Sequence, residues 1–355
     1  MRVLSGFVLG TLALLLACEL LLRVLPVSGA TRVGTYVDPK IPTFQPLLET
    51  DYATGWDLRN AQRLRTNEMG FVAERSFKPD PNAVALIGDS FVDAASLVPK
   101  DRPAQQLEAA LDGRRPVYSM GTAGSSLLDY AERIRFAHER LQIRDFVVLI
   151  ERGDIWQAMC GSGNVASQCL DPASLAPRTE LQPPASTVKR WLRQSALARY
   201  VASQLKLDPA RLLGTLFKRT EPHAPAAPGA PADRAADGPR LSPAAFDAVL
   251  AAFVERIQPF RDGRLLLLVD ADRRALAQGR VPADAQRQAF MQRARAAGLQ
   301  VVDVEPLFAK HFASSHLSLE IGPYDGHPNA LCYRLFADAA AKALAADRTG
   351  PEVQR

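Results

Sequence analysis

Ser90 is the first residue whose setting suggests chemistry, because it directly follows an apolar run of strand length. Residues 84–87 (VALI) are uninterrupted by polar side chains, and Gly88 ends the run before Asp89 and Ser90. Such a run is typical of a parallel strand that is buried on both faces. Open α/β sheets carry their chemistry in the crevice beyond the carboxyl ends of the strands. The pattern therefore predicts that a strand delivers Ser90 to such a crevice.

Asp325 and His327, far along the chain, can supply the base that a serine needs. A hydroxyl is a poor nucleophile at neutral pH unless a base removes its proton, and a carboxylate fixes the tautomer of that base. Residues two apart in an extended segment project to the same side. Pro328 holds His327 extended, and Pro328 or Asn329 can begin the helix that follows. The N-terminus of this helix is expected to disfavour the imidazolium and keep the base neutral.

With these motifs the chain resembles the SGNH (GDSL) hydrolase superfamily, specifically its bacterial members with an N-terminal membrane anchor. Five segments carry the resemblance: 19–23 (ELLLR), 67–71 (NEMGF), 88–94 (GDSFVDA), 117–130 (VYSMGTAGSSLLDY) and 325–330 (DGHPNA). The resemblance implies Ser90 as the nucleophile, His327 as the base and Asp325 as the residue that orients it.

The resemblance also implies an oxyanion hole, formed by the backbone N–H groups of Ser90 and of a glycine together with an asparagine side chain. Aligning the segment VYSMGTAG places the glycine at Gly124, with Gly121 as the second choice. The asparagine is missing. Residues 151–155 read ERGDI where the family has Gly-Asn-Asp or a close variant.

The asparagine position falls on Asp154 in one register and on Gly153 in the other, and both registers remove a neutral side-chain donor. Losing one oxyanion donor typically costs roughly 10²–10³ in turnover. Slow catalysis is therefore expected, unless Asp154 stays protonated in a dry pocket or Arg152 serves as a substitute donor.

Alternating strand and helix patterns predict the scaffold of this site. Strands are predicted at 84–87, 116–119, 146–151, 264–270 and 299–304, and helices at 103–111, 125–142, 243–257, 283–297 and 330–345. Such alternation requires a parallel sheet with helices on both faces. With right-handed crossovers it predicts a three-layer α/β/α sandwich around a flavodoxin-like parallel sheet of about five strands.

An apolar stretch at 3–25 is about as long as the roughly 20 residues that cross a bilayer. Glu19 and Arg23 interrupt it near its far end, where they can pair on one helix face or reach the interface. The positive-inside rule is weak here, since Arg2 is the only charge before the stretch. Signal-anchor logic and the resemblance predict an uncleaved anchor at 1–26. Cleavage at a lipoprotein-like box, 15–18, is the alternative.

This anchor predicts a single-pass protein of the bacterial inner membrane with its catalytic domain in the periplasm. Residues 27–81 are interpreted as a lead-in segment, and 82–349 as the hydrolase domain with an insertion at 160–243. The insertion contains a helical stretch, 187–205, interpreted as a cap near the active site, with a purely structural helix as the alternative. Its tail, 221–243, is rich in Pro and Ala and is predicted to be a mobile linker.

Composition and cysteine spacing bear on the partners and cofactors that the chain could have. The 355 residues are 47% hydrophobic and 23% charged, with a formal charge of +5, and no basic block interleaves with aromatics. A nucleic-acid partner is therefore not expected. Cys160 and Cys169 have a spacing that suits a local disulfide in an oxidising compartment. No metal and no cofactor are expected.

These features lead to one hypothesis and two alternatives. The hypothesis is a serine esterase that acts on ester or O-acetyl groups of a cell-envelope glycan through an acyl-enzyme. The first alternative is a polysaccharide O-acetyltransferase that uses the same triad. The second is a non-catalytic glycan-binding or assembly factor of the same fold. Hydrolysis and transfer are not separated by the sequence, because water exclusion and pocket shape select the acceptor.

Overall fold

The computed structural model describes residues 2–29, 31–163, 167–181, 186–207, 241–282 and 284–346. Contacts divide the chain into two compact units. The anchor unit comprises Met1–Arg32, Glu49–Leu64 and Pro183–Ala224, and the sheet unit comprises Val33–Leu48, Arg65–Gln182 and Pro225–Arg355.

The strands, numbered in chain order, are β1 (Gly34–Asp38), β2 (Ile41–Thr43), β3 (Glu49–Thr54), β4 (Arg59–Arg65), β5 (Val84–Gly88), β6 (Val117–Gly121), β7 (Asp145–Ile150), β8 (Ser167–Leu170), β9 (Pro177–Glu180), β10 (Leu265–Val269) and β11 (Gln300–Asp303). The helices are α1 (Arg2–Val24), α2 (Ser90–Asp93), α3 (Pro103–Ala110), α4 (Leu127–Leu141), α5 (Thr187–Leu192), α6 (Ala196–Arg199), α7 (Pro243–Ile257), α8 (Arg273–Ala277), α9 (Ala285–Ala296), α10 (Glu305–Ser314) and α11 (Ala330–Ala346). Tyr200–Gln204 forms a π-helical turn after α6.

The sheet unit is built on a parallel five-stranded sheet with the order β11-β10-β7-β5-β6. Every residue of β5, β6 and β10 is buried, which explains why these strands have uninterrupted or nearly uninterrupted apolar sequences. Gly88 pairs with Gly121, and Val269 pairs with Ile150, so the strands end at one common edge. From β5 the chain first adds β6 on one side, and it then returns to add β7, β10 and β11 on the other side. The predicted flavodoxin-like sheet is confirmed.

Alternate side chains of each strand enter two separate cores. Ala85 and Ile87 of β5 contact the core that α4, α7 and α9 cover, whereas Val84 and Leu86 contact the core beneath α3, α10 and α11. The same alternation holds along β7 and β10. Two helical layers therefore cover the sheet, which confirms the predicted α/β/α sandwich.

Polar residues at the helix ends account for the observed helix boundaries. Ser126 and Asp129 form a capping box at the start of α4, and the Ser242 hydroxyl accepts the N–H of Ala245 at the start of α7. Asn329 Oδ1 accepts the N–H of Cys332 at 3.0 Å, so Asn329, one of the two residues predicted to begin this helix, caps α11. Helix α10 was not predicted, because Phe308 is its only buried side chain and leaves little periodic signal.

In the anchor unit, α1 is long and apolar enough to cross a membrane over Val3–Val24. Strands β3 and β4 form a two-stranded sheet. The helix predicted over 187–205 is broken, because the hydroxyls of Ser186 and Ser195 accept backbone N–H groups and begin α5 and α6 separately.

The two compact units divide the chain differently from the predicted segments, whose boundaries stay a prediction. Residues 33–48 and 65–81 of the lead-in segment belong to the sheet unit, and so does the start of the insertion up to residue 182. There, β8 and β9 form a hairpin, and Cys160 and Cys169 form the expected disulfide with a Cα–Cα distance of 5.0 Å. The cap role of 187–205 stays a prediction, since its contacts are described within the anchor unit. Residues 221–240 of the predicted linker lie outside the described residues.

Candidate active site

Ser90 lies at the end of β5, on the first turn of α2, and contacts both predicted partners. His327 Nε2 is 2.8 Å from Ser90 Oγ, and His327 Nδ1 is 2.5 Å from Asp325 Oδ1. Asp89 caps α2 by accepting the N–H of Phe91 at 2.8 Å, which fixes the turn that presents Ser90. The structure thus brings the three predicted residues into one chain of hydrogen bonds.

The loop that carries the base is held by its own backbone and by Arg273. Asp325 Oδ1 also accepts the N–H of His327 at 3.0 Å, which is the local contact expected of residues two apart. Arg273 donates to the carbonyl of Gly326 at 3.1 Å and is itself paired with Asp270 at 2.5 Å. These contacts fix the imidazole relative to the strand ends.

Ser96 is a further partner of the triad that the sequence did not reveal. Its hydroxyl donates to Asp325 Oδ2 at 2.5 Å, and both residues are buried. Each oxygen of the Asp325 carboxylate therefore has a donor. No pattern marked Ser96, because a lone serine after Ala94 and Ala95 has no periodicity or motif of its own.

The charges of the site favour an ionised Asp325 and a basic His327. Burial opposes ionisation, but hydrogen bonds from His327 and Ser96 hold the pKa of Asp325 well below its usual range. Burial likewise opposes the imidazolium, yet the hydrogen bond and charge of Asp325, reinforced by Asp89 and Asp93, raise the pKa of His327. The helix N-terminus was expected from the sequence to keep His327 neutral. The pKa of His327 is raised instead, because the nearby carboxylates favour the imidazolium.

Two buried carboxyl groups flank the nucleophile. Ser90 Oγ is 3.2 Å from Asp89 Oδ2, so the hydroxyl can donate to Asp89 when the imidazole is protonated. Burial raises the pKa of Asp89, and it raises the pKa of Asp93 to about 7. Asp93 accepts the N–H of Ala123 at 3.1 Å. This bond joins the loop after β6 to the helix of the nucleophile.

Two glycines were considered for the oxyanion hole: Gly121 ends β6, and Gly124 lies in the loop that follows. Gly124 is half-buried with φ at +78°, and none of the described residues accepts a hydrogen bond from its N–H. A Cβ at Gly121 would lie 2.5 Å from the Asp93 amide nitrogen, so Gly121 is needed for close contact with α2. The geometry favours Gly124 as the donor, although the assignment remains a proposal.

Arg133 is a fully buried cation that supports this loop. It donates to the carbonyl of Gly88 at 2.6 Å, to the carbonyl of Pro42 at 3.1 Å and to Ser125 Oγ at 2.5 Å. One side chain thereby links the end of β5 to the residue after Gly124. No sequence pattern marked this role, since Arg133 occupies an ordinary position of an amphipathic helix.

The side chain of Asp154 contacts Tyr130 and Glu151, which does not fit the role of the missing oxyanion-hole asparagine. It is completely buried, its Oδ1 accepts the Tyr130 hydroxyl at 2.6 Å, and its Oδ2 accepts the Glu151 N–H at 2.8 Å. Burial and the nearby charges of Asp89 and Glu151 hold the pKa of Asp154 well above its usual range. The raised pKa favours the protonated form that was named as one exception to slow catalysis, but the contacts with Tyr130 and Glu151 do not support Asp154 as a donor to the oxyanion.

The proposed substitute donor, Arg152, already has ionic partners, and the space beside Gly153, the other candidate position, is already filled. Arg152 pairs with Asp272 at 2.8 Å and with Asp284 at 3.2 Å, so its charge is already compensated. A Cβ at Gly153 would clash with Glu151 Oε1 and would lie 2.6 Å from Gln157 Nε2. The side chains of Glu151 and Gln157 thus occupy the space that a side chain at position 153 would fill.

A separate open cavity of about 380 Å³ lies elsewhere in the sheet unit, and none of the triad residues lines it. Its lining includes Lys40, Glu132, Arg178 and Arg256. Glu132 is within 4 Å of both Lys40 and Arg256. The candidate triad lies at the strand ends and not in this cavity.

Comparisons with known proteins give structural matches only, since neither a family model nor a curated protein matches the chain. An alpha/beta hydrolase enzyme from the metagenome of Lake Arreo is similar at 16% identity and a TM-score of 0.40, covering 74% of this chain and 95% of that one. A lipolytic G-D-S-L family member from Veillonella parvula DSM 2008 is similar at 11% identity and 0.38, covering 74% and 98%. A carbohydrate acetylesterase family member from Sinorhizobium meliloti is similar at 12% identity and 0.32, covering 74% and 97%.

Proposed function

We propose that the chain is a serine esterase of the SGNH type, which cleaves ester bonds through an acyl-enzyme. The observation that carries the proposal is the continuous chain of hydrogen bonds from Asp325 through His327 to Ser90 Oγ, at the carboxyl end of a parallel strand. A hydroxyl, an imidazole and a carboxylate in this order are the parts that nucleophilic acyl transfer requires.

In the first half-reaction, His327 Nε2 takes the proton from Ser90 Oγ while Oγ attacks the ester carbonyl carbon. The carbonyl oxygen becomes an oxyanion, which the backbone N–H groups of Ser90 and Gly124 stabilise. When the tetrahedral intermediate collapses, the imidazolium gives its proton to the leaving alcohol. Asp325 stabilises the transient imidazolium without taking its proton. The product is an acyl group on Ser90 and a free alcohol.

In the second half-reaction, a water molecule attacks the acyl carbon while His327 accepts its proton. Collapse of the second intermediate returns that proton to Ser90 Oγ and releases the carboxylic acid. If a sugar hydroxyl takes the place of water, the same steps transfer the acyl group. Esterase and O-acetyltransferase thus differ in the acceptor alone, and the triad serves both.

For the substrate we propose O-acetyl groups of a cell-envelope polysaccharide. Ser90 and His327 are both partly exposed, so a group carried on a polymer can approach them without entering a closed cavity. The apolar helix α1 supports a position at a membrane, where such polymers are assembled and modified. A single span with its N-terminus in the cytoplasm places the triad in the periplasm.

The location is tested with a reporter fused after Arg355. A reporter that is active only in the periplasm should give signal, and one that is active only in the cytoplasm should not. The opposite pattern would contradict both the envelope substrate and the oxidising setting that the Cys160–Cys169 disulfide indicates.

The reaction is tested with purified full-length protein and an acetylated glycan, measuring free acetate and the acetyl content of an added unacetylated glycan. Release of acetate that is lost in Ser90→Ala and kept in the exposed control Ser314→Ala supports the esterase. Movement of acetyl groups to the added glycan supports the transferase. Neither product, with Ser90→Ala indistinguishable from the wild type, would favour the non-catalytic alternative.

A further inference from the structure

The short helix α5 of the anchor unit has an exposed apolar face. Val188, Trp191 and Leu192 follow the i, i+3, i+4 spacing that places side chains on one side of a helix. Their exposed fractions are 68%, 73% and 54%. Exposed large apolar side chains that are grouped in this way indicate an interaction surface.

Basic residues flank this apolar face. Lys189 and Arg190 lie in α5 and Arg193 follows it, and all three are exposed. Residues 186–199 contain no Asp or Glu, so no acidic side chain of this stretch offsets the charge. A short helix with Trp and Leu on one face and Lys and Arg around it has the composition of an interfacial helix.

Glu19 of α1 fixes where this helix lies along the apolar segment. Its carboxylate accepts hydrogen bonds from Ser195 Oγ at 2.7 Å and from the N–H groups of Ala196 and Leu197 at 3.0 and 2.9 Å. Glu19 precedes the end of α1 at Val24 by about 7.5 Å along the axis, at a rise of about 1.5 Å per residue. Ser195 lies three residues after α5, so α5 is held close to the C-terminal end of the apolar helix.

Packing around these hydrogen bonds reinforces the position. Leu22 and Val27, at the end of α1 and just beyond it, share a small buried cluster with Ala196, and Leu197 and Tyr200 pack against it. The attachment therefore combines a carboxylate with three donors and an apolar contact. Hydrogen bonds and apolar packing together therefore hold the α5–α6 segment against α1.

A second exposed tryptophan belongs to the same unit. Trp56 lies between β3 and β4 and is 60% exposed. The Tyr200 hydroxyl donates to the Trp56 carbonyl at 2.6 Å, which ties this turn to the segment that Glu19 holds. Two of the three tryptophans in the chain are therefore exposed in the unit that contains α1.

We propose that α5 and Trp56 form a membrane-contact surface that lies in the headgroup region of the leaflet where α1 ends. Val188, Trp191 and Leu192 enter the boundary between headgroups and acyl chains, where tryptophan is enriched. Lys189, Arg190 and Arg193 contact the phosphates of anionic lipids. The occupant is thus an anionic lipid surface. This inference rests on the proposed retention of α1 in the membrane, and it concerns no residue of the triad.

The surface is tested with full-length protein reconstituted in vesicles whose lipids are brominated close to the headgroup. Bromine quenches tryptophan emission at short range, so wild-type emission should fall relative to unbrominated vesicles. Trp191→Phe should lose a large part of this quenching, and Trp191→Phe with Trp56→Phe nearly all of it. Trp156→Phe, the matched control in the sheet unit, should retain it. Vesicle flotation establishes that each variant is inserted.

The lipid charge is tested by comparing phosphatidylcholine vesicles with vesicles that also contain phosphatidylglycerol. Quenching should increase with phosphatidylglycerol in the wild type. The increase should be lost when Lys189, Arg190 and Arg193 are replaced by Gln, and kept when exposed Arg295, Lys310 and Lys342 are replaced instead.

Three results would overturn the inference. In the first, the inserted protein shows no bromine quenching at Trp191 and Trp56. In the second, Trp191 emission depends on protein concentration and not on the lipid, which would assign the surface to a second copy of the chain. Failure to float would remove the anchored state on which the inference rests and would overturn it as well. Labelling of Ser90 in detergent is independent of all three, so the proposed activity is judged separately.

Discussion

Ser96 Oγ and Asp325 Oδ2 are joined by a buried hydrogen bond of 2.5 Å, although 229 residues separate them in the chain. Because His327 occupies the other carboxylate oxygen, Ser96 fixes the rotation of the carboxyl group that orients the base. The hydroxyl does not reach the reacting atoms, so Ser96 is a positioning residue. Its removal leaves a buried carboxylate oxygen without this donor, a change that typically costs about 1–3 kcal/mol.

Ser96→Ala should therefore lower kcat on an acetyl ester by about 10-fold, with little change in KM, because the loss concerns the base and not substrate binding. Ser119→Ala is the matched control, since Ser119 is also buried but donates to the Val92 carbonyl and not to the triad. Steady-state kinetics on both variants give the kcat and KM values to be compared with those of the wild type. Equal effects of the two substitutions would show that the Ser96 contribution is structural.

The pH profile should report His327. Asp325, with Asp89 and Asp93, raises the pKa of the imidazole above its ordinary value of 6.5, and the base works only when neutral. The value of kcat/KM should thus fall as the pH decreases, with a midpoint above 6.5. The imidazolium stabilises the folded state below the unfolded pKa, and this contribution is lost as the pH rises through the folded pKa. A midpoint below 6.5 would contradict this arrangement.

Gln157 is a neutral side-chain donor beside the Gly153 position: its Nε2 would lie 2.6 Å from a Cβ there, next to Glu151 Oε1, and we expect it to take the place of the missing asparagine. Gln157→Ala should lower kcat by about 10-fold or more, and Gly153→Asn added to Gln157→Ala should restore part of it. Asp154→Asn should change little, because Asp154 is buried against Tyr130. Kinetics on the four proteins provide the measurement. A gain in Asp154→Asn, with no effect at Gln157, would restore the other register.

Arg133→Met should destabilise the protein by about 3–5 kcal/mol, because the guanidinium bridges buried acceptors that methionine cannot satisfy. Arg140→Met, on the exposed side of the same helix, should stay within about 0.5 kcal/mol. Urea unfolding followed by circular dichroism gives both values. A small effect at Arg133 would mean that the loop containing Gly124 does not depend on this cation.

The sheet and the triad could be predicted from the sequence because short local patterns specify both. Continuous apolar runs such as Val84–Gly88 specify buried parallel strands, and a base two residues after its carboxylate is visible without any tertiary knowledge. The strands, the main helices and the position of Ser90 followed from these patterns.

The remaining features depend on contacts between distant segments, which one sequence does not display. Ser96 acquires its role only when the loop around Asp325 reaches it, and Arg133 only when β5 and the loop after β6 converge. The orientation of Asp154 toward Tyr130 likewise depends on packing. The stretch 187–205 appeared continuous because periodicity does not show that Ser195 and Glu19 interrupt it.

The central claim is that Ser90 is an activated nucleophile, and covalent labelling tests it most directly. Folded full-length protein in detergent is treated with a fluorophosphonate probe, and the adduct is located by mass spectrometry. We expect one adduct, on Ser90, none in Ser90→Ala, and wild-type labelling in Ser314→Ala. Folded wild type that does not react, or Ser90→Ala that labels as the wild type does, would contradict the assignment of the triad.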